Sequence, residues 1–471
     1  MIPFVYEKCC ARMKEIILIG QQFCITTDCW TSVNTISYIG VTAHFLDSNF
    51  KFYSVLLECS AIDVAHTSGN LSKELQRIVE AWGIKNKILL AVSDNANNIK
   101  NAIIFKLNWN HFGCMAHTLN LIVKDGLKNK LIEEILCKVK TIVTHFRKSY
   151  TANERLLSYQ RNLGKIPLKL LNDVPTRWNS TFYMLERFLE LEEAIKSSVA
   201  LIDKELPIMN VADWQNIKHL CSILKPFENA TKIISGELYY TASLVIPMSN
   251  GLIDVYKNLI KKYFSQLINE VLRTFLTGLS ERLGSVEKNK TLITSTFLDP
   301  RFKTFGFSEI NSGENAKQCI ISAVSEKYAE ELRKKNISET DLCPETKSTI
   351  STDSDEFSIW SSFDKSVTVA QPRGTSKSRA IIEVQRFLED EILPRNENPL
   401  NWWREHKYHY PTLSIIAQEK LCALASSVPC ERLFSKAGQV LNERRTRLSD
   451  KKTKMLLFLN MNYQYCNDID E

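Results

Sequence analysis

The change of hydrophobic period within the first 110 residues is the feature that most constrains the fold. Residues 22–60 hold three runs in which β-branched and aromatic residues alternate with polar ones, namely QFCITTD, SYIGVTAHFLD and KFYSVLLEC. Such alternation, with short polar breaks between the runs, is typical of half-buried strands. The sequence therefore predicts three successive strands that form a meander.

A helical period replaces the strand period in SGNLSKELQRIVEAWG. Four apolar residues fall on one face of a helix that Gly83 ends, namely Leu71, Leu75, Ile78 and Val79. KILLAVSDNANN follows as a continuous apolar run, which is typical of a strand buried on both faces, and a short helix is predicted at 98–106. Three strands, a helix, a strand and a helix define an α/β layout with a mixed sheet.

Two of the predicted strands end in an acid, Asp28 in CITTD and Asp94 in LLAVSD. An Asp at a strand end often forms a turn through its own side-chain hydrogen bonds. If the first and fourth strands are parallel neighbours, the two carboxylates lie roughly 5 Å apart and repel each other unless a cation lies between them. Mg²⁺ is the expected ion, since it binds one or two carboxylates together with water and substrate phosphates.

Helical periodicity dominates the centre of the chain, and a polar stretch separates it from the C-terminal part. That stretch is rich in Ser, Thr, Asp and Lys and has no apolar period, which is typical of a disordered linker. A chain of 471 residues is long enough for roughly two to three domains. The predicted division is a sheet-containing core at 1–145, a helical domain at 146–337, the linker at 338–380 and a C-terminal segment at 381–471.

Composition excludes several classes of protein. The hydrophobic fraction of 44% and the charged fraction of 24% are those of a globular protein with a sizeable core. No run approaches the roughly 18 apolar residues of a membrane span, and the N-terminal residues lack the layout of a signal peptide. The thirteen cysteines include no C-x-x-C pair, so no structural zinc is expected. These features predict a cytosolic or nuclear protein, and the net charge of +7 is compatible with a nucleic-acid partner.

Glu431, in LASSVPCERLFSKAG, is the candidate for a third carboxylate at the predicted metal site. It lies on a predicted helix whose apolar stripe runs from Leu413 to Leu424, and Pro429 interrupts that pattern just before the acid. Paired metal ions about 3.5–4 Å apart could clamp the attacking and leaving oxygens of a phosphodiester. From spacing alone, however, a solvent-exposed pair with Arg432 is the better interpretation of Glu431.

Eight separated motifs extend over nearly the whole chain: TTDCWTS, YIGVTAHF, AVSDNANN, CMAHTLNLIV, DVPTRWNSTFYMLER, LKPFENATK, NPLNWWREH and ASSVPCERLFSKAG. In these motifs and their order, the chain closely resembles the hAT group of DNA transposases, in particular the BED-type zinc-finger proteins derived from them. The resemblance implies an RNase H-like mixed sheet interrupted by a large all-α insertion, with a C-terminal helical dimerisation segment. It also implies that Asp28, Asp94 and Glu431 form a catalytic, metal-binding triad. Mg²⁺ or Mn²⁺ would then be the cofactor for hydrolysis at a transposon end and attack on target DNA.

The resemblance assigns roles to two further pairs of residues, for which the sequence leaves a structural alternative open. Cys114 and His117 match a pair that supports the active-site side of the fold, but half a zinc set is more simply a packed cysteine and a hydrogen-bonded histidine. Arg177 and Trp178 match a DNA-binding pair, and the resemblance implies that Trp178 stacks on an extruded base. The alternative for that pair is a buried helix start.

The C-terminal part carries a basic run and an aromatic segment. Residues 431–455 hold eight basic and three acidic residues, which predicts either a solvated helix face or a surface that follows phosphates. The arginines expected to contact DNA there are Arg432, Arg444, Arg445 and Arg447. The resemblance places the aromatic segment in the dimerisation region, and the expected interface residues are Trp402, Trp403, Tyr410, Leu413 and Phe434.

Two functions from different classes follow from these predictions. The first is a dimerising nuclear protein that binds double-stranded DNA and carries a working nuclease site. The second is a domesticated regulator of transcription or chromatin that kept the fold and the dimer surface but does no chemistry. The intact acid triad favours the first. The second is favoured by the expectation that this chain starts too late to contain the BED finger with which relatives begin.

Overall fold

The computed structural model describes residues 2–32, 35–174, 177–200, 205–236, 241–340, 375–440 and 450–466. Of residues 335–340 and 439–440 it describes the backbone alone. Most of the polar stretch that we expected to be a linker lies outside the described residues.

A five-stranded mixed sheet forms the core of the N-terminal part. Its strands are β1 (Phe23–Thr31), β2 (Ser37–Leu46), β3 (Phe52–Ala61), β4 (Ile88–Ser93) and β5 (His111–Gly113). They lie side by side in the order β3-β2-β1-β4-β5. The first three form an antiparallel meander, whereas β4 is parallel to both β1 and β5. The predicted meander and mixed sheet are confirmed, and β5 was not predicted because three residues are too few to show a period.

Helices surround this sheet and extend beyond it throughout the described part of the chain. Those of the N-terminal part are α1 (Ile2–Leu18), α2 (Ser68–Ala81), α3 (Asn97–Asn101), α4 (Met115–Leu127), α5 (Lys130–Lys148) and α6 (Tyr150–Asn162). The central ones are α7 (Trp178–Glu190), α8 (Glu192–Val199), α9 (Val211–Ile234), α10 (Ala242–Leu259), α11 (Gln266–Leu283), α12 (Lys290–Leu298) and α13 (Ile310–Thr340). The last five are α14 (Ser376–Glu389), α15 (Pro399–His406), α16 (Pro411–Lys420), α17 (Val428–Val440) and α18 (Asp450–Asn462). Every helix within the described ranges is too short or too polar to cross a lipid bilayer.

Helix α2 forms where the sequence predicts it. The hydroxyl of Thr67 accepts the backbone N–H of Asn70, which satisfies one of the donors that a helix start leaves unpaired. The four predicted apolar residues, Leu71, Leu75, Ile78 and Val79, are all buried. Gly83, just beyond the helix, has a φ of 69°, a left-handed conformation that glycine adopts without strain. The predicted helix and its end are therefore confirmed.

The sheet is covered on both faces by different hydrophobic cores. One core joins Ile25 of β1 to residues of α1, α2 and α18. The other contains Cys24, one residue earlier, as alternation along a strand requires. This second core continues without a break into the helical part of the chain, where it includes Phe275 of α11 and Trp403 of α15. The helical insertion is thus packed directly on one face of the sheet.

The aromatic C-terminal segment is packed inside the chain, which corrects our expectation for the dimer interface. Four of the five expected interface residues are buried: Trp403, Tyr410, Leu413 and Phe434. The Trp403 indole stacks on Phe387 of α14 and donates from Nε1 to the backbone oxygen of Leu298 at 2.8 Å. Trp402 alone remains half-exposed. Large aromatic residues serve cores and interfaces equally well, and here most of them serve the core.

Candidate active site

Asp28 and Asp94 lie at the same edge of the sheet. Strands β1 and β4 are paired in parallel with Thr26 opposite Val92, so the two acids, each two residues further on, are level with one another. Asp28 is still within β1, where it pairs with Gly40 of β2, and Asp94 directly follows β4. Both side chains are half-buried. The first and fourth strands are parallel neighbours, which was our condition for the two acids to lie close together, whereas β1 continues to Thr31 and does not end at Asp28 as we expected.

The surroundings of Asp28 favour its protonated form. Burial and the nearby Asp94 raise the pKa of Asp28 to about 7, and Glu431 acts in the same direction. The backbone N–H of Cys29, which donates to Asp28 Oδ1 at 2.8 Å, opposes this rise. Carboxylates raise one another's pKa in this way only when they are close. Three acids from distant parts of the chain therefore share one electrostatic environment.

Asp94 also opens the turn that follows its strand. Its Oδ1 accepts the backbone N–H of Ala96 at 3.2 Å, which is the local hydrogen bonding expected of an Asp at a strand end. The next residue, Asn95, donates from Nδ2 to Thr118 Oγ1 at 3.1 Å. A Cβ on Gly113 would lie 1.9 Å from Asn95 Oδ1, so a larger residue at this position would displace the Asn95 side chain from its present position. The turn geometry and the site geometry are thus built from the same residues.

Glu431 reaches this region on α17, which begins at Val428. We expected Pro429 to interrupt one longer helix, but α16 ends at Lys420 and α17 starts separately. Pro429 lies in the first turn of α17, where its missing N–H removes no helical hydrogen bond. The proline therefore helps to start the helix that carries the acid.

Gly40 allows α17 to approach the sheet closely, and our sequence analysis did not identify it. A Cβ at Gly40 would lie 2.9 Å from Leu433 Cδ2 and 3.1 Å from Phe434 Cζ. Gly40 is paired with Asp28 across the β1–β2 ladder. Helix α17 therefore packs on β2 directly beside the residue that carries the first acid. A glycine inside a predicted strand is a known signal of such close approach.

Glu431 pairs with Arg177 and not with Arg432. Arg177 Nη2 lies 3.6 Å from Glu431 Oε2, and the Arg177 side chain is 67% exposed. Arg432 Nη2 instead donates to the backbone oxygen of Ser235 at 2.8 Å, and burial lowers its pKa. The expected exposed pair is therefore corrected, and Arg432 connects α17 to the end of α9. The other three expected arginines, Arg444, Arg445 and Arg447, lie outside the described residues.

The three carboxylates suit a divalent cation in charge and ligand type, although they do not converge as a finished ligand set. Within the ranges that the structure describes, no three His, Cys, Asp or Glu side chains form a cluster that would hold a metal ion. The pKa of Asp28 is nevertheless raised, mainly by burial and then by Asp94 and Glu431, and a bound cation would favour the ionised carboxylate against these effects. Oxygen ligands are those that Mg²⁺ prefers. The donor chemistry therefore fits Mg²⁺ or Mn²⁺.

Trp178 is buried, which corrects the expectation that it stacks on an extruded base. It is the first residue of α7 and only 3% exposed. Its ring packs edge-on against Phe227 of α9, with 6.2 Å between the ring centroids, and its backbone N–H donates to Asn120 Oδ1 at 3.2 Å. The ring is enclosed by the helical core, so a base cannot stack on it in this arrangement. The alternative of a buried helix start describes Trp178 correctly.

Cys114 is a packed cysteine that contacts the segment leading into α17. It is fully buried just before α4, and its Sγ accepts the backbone N–H of Ser427 at 3.3 Å. Burial raises the pKa of its thiol. His117 is half-buried in the first turn of α4. The expected supporting role of Cys114 thus has a physical basis in its contact near Glu431.

A separate cleft of about 960 Å³ opens between α4, α5 and the start of α7. Its lining includes Lys124, Lys148 and the ion pair of Lys140 with Asp173, whose Nζ and Oδ2 are 2.8 Å apart. The three acids are not among the described residues that line this cleft. The sheet edge, and not this cleft, is therefore the candidate site.

A mixed sheet with this strand order, an acid on each of the two central strands just beyond their parallel pairing and a third acid on a returning helix define an RNase H-like protein. Three family models match: the ZBED1 RNase-like domain at 26–110, the ZBED1 RNase-like helical domain at 112–223 and the hAT family C-terminal dimerisation region at 383–463. The chain belongs to the hAT transposase family, together with its BED zinc-finger relatives.

Curated relatives match this chain over almost its whole length. It is 27% identical to Zinc finger BED domain-containing protein 4 of Homo sapiens, over 98% of this chain and 39% of that protein. It is also 27% identical to a Zea mays protein of the AC transposase type, over 96% of this chain and 57% of that protein. For Zinc finger BED domain-containing protein DAYSLEEPER of Arabidopsis thaliana, the identity is 25% over 94% of this chain and 64% of that protein. The chain therefore spans less than two thirds of the length of these relatives.

Proposed function

We propose that the chain cleaves DNA as a dimeric, nuclear protein of the transposase type, with Asp28, Asp94 and Glu431 as its catalytic residues. The supporting observation is the raised pKa of Asp28, to which burial contributes most and the nearby Asp94 and Glu431 add. Gathering like charges at a half-buried position destabilises a fold, so a purely structural role does not account for the arrangement. A strongly perturbed carboxylate of this kind is typical of a functional site.

The proposed roles follow from where each side chain begins. Asp28 and Asp94 would hold Mg²⁺ or Mn²⁺ from the two central strands, and Glu431 would complete the ligand set from α17. When bound, the metal supplies activation of water and neutralisation of charge on the phosphodiester. Arg177 is exposed beside Glu431 and is suited to contact the DNA backbone, since a guanidinium binds phosphate with two parallel hydrogen bonds.

The surface around α17 and α18 adds charge for DNA binding. Lys436, Lys451 and Lys452 are exposed in the described part of this region. Binding that depends on such residues weakens steeply with salt, because each phosphate contact releases counterions. The matched dimerisation region contains all three lysines and Glu431, which supports a dimer as the DNA-binding form.

The experiment is cleavage of labelled double-stranded DNA by the purified full chain with Mn²⁺. We expect Asp28→Asn, Asp94→Asn and Glu431→Gln each to abolish cleavage while DNA affinity stays close to that of the unchanged protein and each variant remains folded at the assay temperature. Asp254→Asn is the matched control, because Asp254 is 70% exposed on α10 and should leave cleavage intact. Equal cleavage by all four variants would contradict the site assignment.

The second candidate function is a regulator that binds DNA as a dimer without cutting it. Two observations favour it: the pairing of Glu431 with Arg177, and the lack of a ready-made metal cluster among the described side chains. If the unchanged protein sediments as a dimer and binds DNA but cuts nothing with either Mg²⁺ or Mn²⁺, this function replaces the first.

A further inference from the structure

The segment 421–427 leads into α17, and buried sulfur atoms make three contacts along this segment and the first turn of the helix. Cys24 Sγ, on β1, accepts the backbone N–H of Leu424 at 3.3 Å. Cys114 Sγ, at the start of α4, accepts the backbone N–H of Ser427 at the same distance. Both sulfur atoms belong to fully buried residues. The backbone that leads to the third acid is therefore bonded to β1, the strand that carries Asp28, and to the start of α4.

Cys430 makes the third contact, and it is the one nearest to the acids. Its Sγ lies 3.2 Å from Thr26 Oγ1, 3.3 Å from the backbone oxygen of Thr26 and 3.6 Å from that of Gly40. Cys430 directly precedes Glu431, and Thr26 stands two residues before Asp28 on the same side of β1. One thiol thus connects the start of the helix that carries Glu431 to the strand that carries Asp28.

The Cys430 thiol contacts one end of a buried polar network. Thr26 Oγ1 is 2.5 Å from Thr42 Oγ1, which is 2.8 Å from His44 Nε2. Cys430 and these three residues are at most 1% exposed. In such surroundings hydrogen bonds are strong, and a polar group left without a partner destabilises the fold. Burial also raises the pKa of the Cys430 thiol, so it retains the S–H that can donate to a carbonyl oxygen.

We propose that Cys430 is a positioning residue that fixes Glu431 relative to Asp28 through Thr26, and that Cys24 and Cys114 hold the preceding segment in register. This inference rests on the proposed function for its effect on cleavage. The claim that these thiols fix the start of α17 does not depend on whether the protein cleaves DNA. A displacement of about 1 Å at a catalytic group lowers rates by up to roughly 100-fold, so a contact this close to the acid is placed to control activity.

The test compares four single variants of the full chain and one double variant, Cys430→Ala combined with Thr26→Val. Cys430→Ala removes the thiol, Cys430→Ser keeps a donor at the same position, and Thr26→Val removes the hydroxyl on the strand side. Cys9→Ala is the matched control, since Cys9 is equally buried but lies in the core on the other face of the sheet. Each variant is measured by urea unfolding, by amide hydrogen exchange across residues 424–434, and by single-turnover DNA cleavage with Mn²⁺.

We expect Cys430→Ala to speed exchange across residues 424–434 and to lower the cleavage rate by at least roughly 10-fold. Cys430→Ser should restore most of both properties, and the double variant with Thr26→Val should be no worse than the poorer single variant, because both remove one contact. Cys9→Ala should lower the free energy of unfolding without changing the exchange rate across residues 424–434 or the cleavage rate. If Cys430→Ala matches Cys9→Ala in exchange and cleavage, the proposal is overturned. If the unchanged protein never cuts DNA, the proposed function fails, and the exchange data alone decide whether Cys430 fixes α17.

Discussion

Replacing Asp28 by asparagine should stabilise the metal-free protein at mildly alkaline pH. Asparagine has nearly the same shape as aspartate but carries no charge, so the substitution removes the repulsion and keeps the packing. The pKa of Asp28 is about 7 in the folded protein, against an ordinary value of 3.8. The folded state therefore binds the proton more tightly than the unfolded chain does.

The sign and size of the effect follow from this difference. Because the folded-state pKa is the higher one, stability is greatest at low pH and falls as the pH rises from about 4 to about 7. The two pKa values differ by about 3 pH units, each worth about 1.4 kcal/mol, so the full effect of ionising Asp28 is roughly 4 kcal/mol. Neighbouring acids titrate as a coupled group and not one by one. We therefore expect the unchanged protein to lose about 2 kcal/mol of folding stability between about pH 5 and about pH 8.

Urea unfolding in the presence of a chelator, at about pH 5 and about pH 8, measures this directly. The stability of Asp28→Asn relative to the unchanged protein should rise by about 2 kcal/mol between the two pH values. Mn²⁺ should stabilise the unchanged protein at the higher pH and have much less effect on the variant. The exposed-acid variant Asp254→Asn serves as the control. An Asp28→Asn stability difference that is the same at both pH values would refute the electrostatic reasoning.

Three further predictions test the packing and the surface. Gly40→Ala should destabilise the fold by about 1–3 kcal/mol in urea unfolding, because its Cβ would press on Leu433; an unchanged stability would show that α17 does not pack there. Trp403→Ala should lower the free energy of unfolding by about 3–5 kcal/mol, because it truncates a buried side chain. Tyr408→Ala, at an 83% exposed position, should change it by no more than about 0.5 kcal/mol. A larger loss for Tyr408→Ala than for Trp403→Ala would indicate that Trp403 belongs to an interface and not to the core. Arg177→Gln should leave stability unchanged and reduce the salt dependence of DNA binding by about one phosphate contact, and an unaltered slope in a binding titration would remove Arg177 from the DNA surface.

The central part of the sheet and its two acids were predictable because their signals are local. An alternating run of about ten residues indicates both that a strand forms and which of its faces is buried. An acid that follows such a run falls at the sheet edge wherever the strand is placed. The parallel pairing of β1 and β4 was only a condition at that stage, and the structure supplies it.

The residues that were predicted incorrectly depend on contacts between distant segments. Trp178 packs on Phe227, and Trp403 is bonded to the backbone of Leu298. Neither partner can be identified from the motif that contains the tryptophan. An aromatic residue has the same local pattern whether a core, a partner chain or a base covers its ring, so burial was decided by the helical insertion as a whole.

Glu431 shows why the third acid differs in kind from the other two. Asp28 and Asp94 are held by the sheet itself, whereas Glu431 depends on contacts such as that between Thr26 and Cys430, which are 404 positions apart. The helix that carries it also lies within the matched dimerisation region. In the proposed function, completing the triad and forming the dimer would therefore draw on the same C-terminal segment. A loosening of α17 should impair both properties together, whereas Asp28→Asn should remove cleavage and leave the dimer intact.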